Sequence, residues 1–245
     1  HIAVEGSEAR RNFFDNTFSQ IDPEYLSHLI TYNRLLQQRT RLIKQMAEQN
    51  VWRETLLDTY DQQMKEPATL VHERRAAYSE HMAPLFQRYY RRISEDQEEV
   101  SYTYRSPLND TAWLELQAQN REKDRVLQRT CSGLHKDDWA FRIGEQEVKR
   151  FASQGQLKSF ILSLKLAQYE LLRQHKGMPP ILLLDDLFDK LDANRARQLL
   201  GLLYEQSFGQ VFITDTDESR IQAVVSHFHE DFRMFRVVNG EIEKA

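Results

Sequence analysis

From Pro23 to about Lys65 the chain repeats an apolar residue every seven positions, at Leu29, Leu36 and Ile43, with Leu35 and Leu42 beside them and polar residues almost everywhere else. That spacing predicts a long exposed helix with one apolar stripe. The stretch KEPAT (65–69) reads as a breaker. A second helical pattern follows through Tyr78, Met82, Leu85, Phe86, Tyr89 and Ile93, so an antiparallel helical hairpin is expected. VSYTYR (100–105) alternates as a strand, Pro107 ends it, and residues 110–129 return to a charged helical composition.

The pattern changes after Arg129. DDWAFRIGEQEVKRF alternates about a Gly-Glu turn at 144–145 and predicts a hairpin. An amphipathic helix follows, with Leu157, Phe160, Ile161, Leu164, Ala167 and Leu171 on one face. MPPILLLDD and QVFITD read as buried strands, ANRARQLLGLLYEQ and ESRIQAVVSHF as helices, and FRMFRVVNGEIEK as a final hairpin. Strands alternating with helices of this length predict an α/β sheet covered on both faces.

Composition narrows the picture. The chain has 245 residues, 40% of them hydrophobic and 11% aromatic, enough for a sizeable core. Its 33 Lys+Arg against 37 Asp+Glu give a net charge of −4, so any attraction for nucleic acid must come from a local patch. The lone Cys131 excludes an internal disulfide and a multi-cysteine zinc site, and suits a reducing cytosol. No run approaches the roughly 18 apolar residues of a membrane span, and no signal peptide is evident, so a cytoplasmic protein is expected.

Candidate chemistry centres on ILLLDDLFDKLD (181–192). The carboxyl end of a buried parallel strand is where open α/β sheets place ligands. Asp185 there can hold Mg²⁺, directly or through water, and Asp186 can orient or deprotonate an attacking water. A strand ending in a polar turn explains the same pattern. Upstream, FASQGQLKSF (151–160) offers Ser153 as an N-cap and Gly155 for close backbone approach. The helix opening there points free N–H groups at a potential anion. Asp192 can cap the next helix or reach a partner subunit. HFH (227–229) lacks a third metal ligand and reads as surface.

Serine-polar-Gly-Gln opening a helix, then a buried strand ending in paired acids, then Leu-Asp, resembles the carboxyl-terminal half of an ABC-type ATPase head, and most closely the RecF family of SMC-like ATPases. GSEARRNFFD, YLSHLITYNRLLQQR, GLHKDD and FASQGQLKSFILSLKLAQ extend the resemblance over nearly the whole chain. It implies an α/β head plus a mainly α-helical arm domain. Residues 1–21 would end a head lobe, 22–129 form the arm, and 130–245 carry the signature motif, Walker B and D-loop. Ser153, Gln154, Gly155 and Gln156 would be the signature motif that contacts the γ-phosphate held mainly by the opposite subunit. Asp185 would be the Walker B magnesium ligand, Asp186 the catalytic acid and Asp192 the D-loop residue at the dimer interface. Thr214 or Asp215 would stand where related proteins carry a switch histidine.

The resemblance further implies ATP and Mg²⁺ as cofactors, an ATP-driven homodimer, and binding to double-stranded, gapped or junction DNA. RecR- and RecO-type recombination mediators would be partners in a nucleoid-associated repair and replication-restart pathway. Another SMC-like head, or a non-enzymatic arm and interface module, are the alternatives. Candidate phosphate contacts on the arm are Arg39, Arg41 and Lys44, Arg74 and Arg75, Arg91 and Arg92 with Arg88, and Arg121 with Lys123 and Arg125; solvated helix faces interleaved with glutamates explain the same clusters. A G-x-x-x-x-G-K-(S/T) loop is absent from the sequence. The chain opens on His1 without a methionine, and the resemblance places Walker A before it, so roughly a hundred preceding residues are expected. Without that loop the chain by itself is expected to bind ATP no better than millimolar and to be inactive.

Overall fold

The computed structural model describes residues 2–95, 98–185, 193–205, 208–218, 222 and 233–244. Helix α1 (Ser7–Ile21) leads into α2 (Pro23–Glu48) through Asp22, whose carboxylate accepts from Tyr25 N at 3.0 Å while Pro23 fills the first helical position. Helix α3 (Glu54–Ser94) runs back along α2: Ile43 clusters with Leu57, Arg39 meets Asp61, and Tyr25 meets Arg75. The helical hairpin is therefore present, but its turn differs from the expected one. KEPAT lies inside α3, which continues through Pro67 and Pro84 for 41 residues, and the chain reverses instead at residues 49–53, where Asn50 adopts φ 49°. Each interior proline costs about 3 kcal/mol locally. The buried stripe of α3, to which Pro67 itself belongs, offsets that cost.

Strand β1 (Val100–Arg105) pairs antiparallel with β2 (Asp138–Ile143), from Val100 opposite Ile143 to Arg105 opposite Asp138, and β2 turns at Gly144-Glu145 into the short β3 (Gln146–Glu147). Between β1 and β2 lie α4 (Trp113–Gln119) and α5 (Arg121–Leu127). After α6 (Val148–Phe151) comes the long α7 (Gln154–Lys176), then β4 (Leu182–Leu184), α8 (Ala193–Glu205), β5 (Val211–Ile213) and the hairpin of β6 (Phe235–Val238) with β7 (Glu241–Lys244). ESRIQAVVSHF lies almost wholly outside the described residues, as does HFH.

One apolar core runs from Phe14 and Phe18 through Phe86, Tyr102, Trp139 and Phe160 to Leu182, Leu184 and Leu199, while Ile43, Met46 and Leu57 form a small separate cluster at the hairpin tip. The base of the hairpin and β1 are thus built into the same core as the strands and α7. Strands β4 and β5 are parallel, with Leu182 opposite Val211 and Leu184 opposite Ile213. Of the covering expected on both faces, the described residues show one: Leu182 and Leu184 are 7% exposed, whereas Leu183 is 70% and Phe212 48% exposed, and the expected helix ESRIQAVVSHF lies almost wholly outside the described residues. Among the described residues one face of this pair is packed and the other is open. No helix among them is long and apolar enough to cross a membrane.

Candidate nucleotide site

Helix α7 begins in a complete capping box. Ser153 Oγ accepts from Gln156 N at 3.2 Å, and Gln156 Oε1 accepts from Ser153 N at 2.7 Å. The amides of Gln154 and Gly155, at the first two helical positions, have no intrahelical acceptor and point along the axis. Ser153 Oγ uses only its acceptor capacity within the box, so its hydroxyl proton remains to be donated. A 23-residue helix ending this way offers two amides, one hydroxyl and the positive end of its dipole to an anion.

The N-terminus of α7 and the carboxyl end of β4 lie at the same end of the molecule. Near the other end of α7, Tyr169 Oη accepts from Gly209 N at 3.0 Å just before β5, and Gln210 O accepts from Leu182 N at the start of β4, so α7 runs antiparallel to both strands. A direct tie confirms the placement. Arg195, in the first turn of α8, donates to Ser159 Oγ at 3.0 Å, and a methyl group added to Gly155 would come within 3.0 Å of the Arg195 guanidinium. Gly155 therefore permits a close approach of α8 as well as of a ligand. Sequence reasoning missed Arg195, which sits three residues beyond Asp192 with no motif of its own.

Asp185 leaves β4 with an exposed carboxylate that accepts from Thr214 Oγ1 at 2.5 Å, and Thr214 N donates to Leu184 O at 3.0 Å. Asp215 accepts from Asp217 N at 2.9 Å, closing the turn after β5. The structure thus brings Asp185 and Thr214 together, and groups Ser153 to Gln156 with Arg195. Asp186 and Asp192 lie outside the described residues. No cluster of three or more metal-ligating side chains occurs among the described residues. One carboxylate beside a hydroxyl fits a hard cation that takes its remaining oxygens from phosphate and water, as Mg²⁺ does.

Two of the candidate phosphate contacts are corrected. Arg39 is fully buried, donating to Asp61 at 2.7 Å, Asp124 at 2.6 Å and Thr130 at 3.0 Å. Arg75 is 2% exposed and held by Asp15 at 2.8 Å, Asp137 at 2.5 Å and Leu134 O at 3.0 Å. Burial pulls the Arg75 pKa down, but Asp15, Tyr25 and Asp137 outweigh it and hold the guanidinium charged. Neither side chain can reach a DNA backbone. Exposed Arg74 pairs with the buried Asp22 and with Glu24, and at the surface Arg91 pairs with Glu99 and Arg92 with Glu205, whereas Arg41 and Lys44 project from α2 into solvent.

The GLHKDD segment belongs to the same buried network. His135 Nδ1 meets Tyr32 Oη at 3.2 Å and Nε2 meets Thr130 O at 3.1 Å, which makes Nε2 the protonated nitrogen. Burial lowers its pKa to about 4, so it is neutral near pH 7. Gly133, at φ 132°, admits the Tyr32 hydroxyl where a Cβ would stand 2.5 Å from it.

A helix whose capped N-terminus lies at the same end as the carboxyl end of a parallel strand pair, joined to a long helical hairpin, is the arrangement of the carboxyl-terminal part of an ABC-type ATPase head carrying an α-helical arm, the fold this chain has. No protein-family model matches the chain. It is 40% identical over 236 residues to the DNA replication and repair protein RecF of Flavobacterium johnsoniae, covering 96% of this chain and 66% of that protein. To RecF of Bacteroides fragilis it is 39% identical over 243 residues, covering 99% and 65%. A solved structure of the recombination mediator protein RecF with ATP, in the RecFOR pathway, superposes with a TM-score of 0.82 at 26% identity over 100% of this chain and 64% of that one. The chain belongs to the RecF family. It spans just under two thirds of the length of these relatives.

Proposed function

We propose that the chain supplies the signature-motif and Walker B part of an ATP site in a DNA replication and repair protein of the RecF kind. ATP would drive two copies together, with Ser153 of one facing the γ-phosphate of nucleotide carried chiefly by the other. The observation that carries this reading is the Ser153-capped N-terminus of α7, packed against Arg195 at the same end of the molecule as Asp185. In such a dimer the amides of Gln154 and Gly155 and the Ser153 hydroxyl donate to phosphate oxygens. Asp185, oriented by Thr214, completes the shell of a Mg²⁺ ion. Asp186, next in sequence, is the candidate for orienting the attacking water. Residues 22–129 serve as the arm that helps to clasp double-stranded DNA at gaps and junctions, where the dimer loads repair factors with RecR- and RecO-type mediators. Support for DNA and ATP comes from the names of the relatives and of the solved neighbour.

The test uses the full-length protein and the substitution Ser153→Arg, which puts a long cation where the hydroxyl meets phosphate. ATP binding by the isolated subunit, followed by fluorescence of a labelled nucleotide, is expected to persist. ATP-dependent dimers, followed by sedimentation velocity, are expected to disappear. Dimers of wild-type strength would remove Ser153 from the nucleotide interface.

A further inference from the structure

The carboxyl end of α3 is joined by hydrogen bonds to both helices that flank the proposed nucleotide site. Glu98, four residues beyond α3, accepts from the Tyr90 hydroxyl of α3 at 2.7 Å and from the side-chain amide of Gln156. Tyr90 is fully buried, so one end of this relay is anchored in the core. Gln156 is the residue whose side-chain oxygen accepts from Ser153 N in the capping box, so its amide group is held at both ends. Nearby, Glu95 accepts from Asn194 at 3.0 Å and from Gln198 at 2.7 Å in α8, and Arg92 pairs with Glu205. The far end of α3 forms the hairpin with α2, about 60 Å away at the helical rise per residue.

We infer that Glu98 is a positioning residue for nucleotide engagement: by fixing the Gln156 amide it sets the orientation of the Ser153 turn and ties that turn to the arm helix α3. The inference rests on the nucleotide-site reading above. A carboxylate suits the task because it accepts from two donors at once, the Tyr90 hydroxyl and the Gln156 amide, and so fixes which way the amide faces. With the amide nitrogen committed to Glu98, the amide oxygen is committed to Ser153 N. The Ser153 backbone is then held with its hydroxyl proton outward. A shift of α3 against α7 would have to move or break this connection, and coupling through it runs equally in both directions.

The decisive substitution is Gln156→Glu in the full-length protein. Glutamate is as good as glutamine at this capping position, so a cap that serves helix stability alone predicts no loss. With Glu98 opposite, the substitution sets two carboxylates face to face and removes the donor. The expected result is ATP-dependent dimerisation weakened about tenfold, with a fall in melting temperature of no more than about 2–4 °C. Glu98→Gln alone can keep the pairing, because its amide oxygen still accepts from the Gln156 amide while its nitrogen donates to the Tyr90 hydroxyl oxygen, so it serves as the control that is expected to dimerise nearly as wild type. The double substitution Glu98→Gln with Gln156→Glu restores the pairing lost in Gln156→Glu, with reversed polarity: the amide at position 98 donates to the carboxylate at position 156 and still takes the Tyr90 proton on its oxygen. Its dimerisation is expected within about threefold of wild type. Ser153→Arg is run beside these variants. If it abolishes dimers while Gln156→Glu dimerises normally, or while the double variant is no better than Gln156→Glu alone, the role of Glu98 is overturned and the site reading stands. If Ser153→Arg itself dimerises normally, both fall.

Discussion

Among the described residues Arg75 is the most heavily committed side chain, gathering Asp15 from α1, Asp137 and Leu134 O from the GLHKDD segment, and the Tyr25 hydroxyl from α2. Asp137 also takes a proton from Tyr104 of β1 at 2.5 Å, so one guanidinium organises four parts of the chain. Removing it strands two carboxylates in or near the core, where an unpaired charge costs far more than a surface one. Arg75→Ala is therefore expected to lower unfolding free energy by about 3–5 kcal/mol in urea titration. A loss under about 1 kcal/mol would show that solvent reaches Asp15 and Asp137 and that the network contributes little. The helical phase carried the signal that basic composition concealed. Arg39 falls between Leu35 and Ile43, and Arg75 between Val71 and Ser79, each at a spacing of four on a stripe that is buried throughout. Charge counting placed both on a DNA-facing surface, whereas periodicity places them in the core.

The same competition between local and periodic signals decided the elements. Proline at position 67 outweighed the stripe in the sequence reading, but the structure keeps Met64, Ala68 and Val71 on one buried face straight across it. Gln49 and Asn50, the actual reversal, are a weaker turn signal than Pro-Ala-Thr. Pro84 gives the cleaner test because it is exposed, so its ring contributes little packing to set against the lost backbone hydrogen bond. Pro84→Ala is expected to raise stability by about 1–3 kcal/mol, read as an increase in melting temperature. Pro67→Ala is expected to gain less, since it also gives up buried contacts. A fall in melting temperature for Pro84→Ala would mean that the backbone geometry the proline imposes is needed to bring α3 onto α7. Strand β1, the Gly-Glu hairpin, the amphipathic α7 and the final hairpin were legible because their periods were unopposed. The difference in exposure between the two faces of β4 among the described residues was not legible. A run of four aliphatic residues reads the same whether one face or two are covered, and Ile181 and Leu183, at 61% and 70% exposed, alternate with their buried neighbours only in three dimensions.

At the scale of the molecule, a net charge of −4 means that the proposed DNA attraction would have to come from local surface, and the placement of the arginines and lysines narrows the candidates for it. With Arg39 and Arg75 withdrawn into the core, and Arg74, Arg91 and Arg92 facing acids, the outer face of α2 stands out. Arg34, Arg41 and Lys44 recur there at spacings of seven and three, all exposed and turned away from α3. Cations on one helical face can follow a phosphate backbone in a way that scattered pairs cannot, and each phosphate neutralised contributes about 0.9 to the slope of log affinity against log salt. Replacing all three by alanine in the full-length protein is expected to weaken DNA binding and to flatten that slope by about 2.7, with little change in melting temperature. Replacing Arg74, Arg91 and Arg92 instead is expected to change the slope less, because their acidic partners already neutralise them. Equal slopes for wild type and the Arg34, Arg41 and Lys44 variant would take the outer face of α2 out of contact with DNA and leave it as a solvated helix surface.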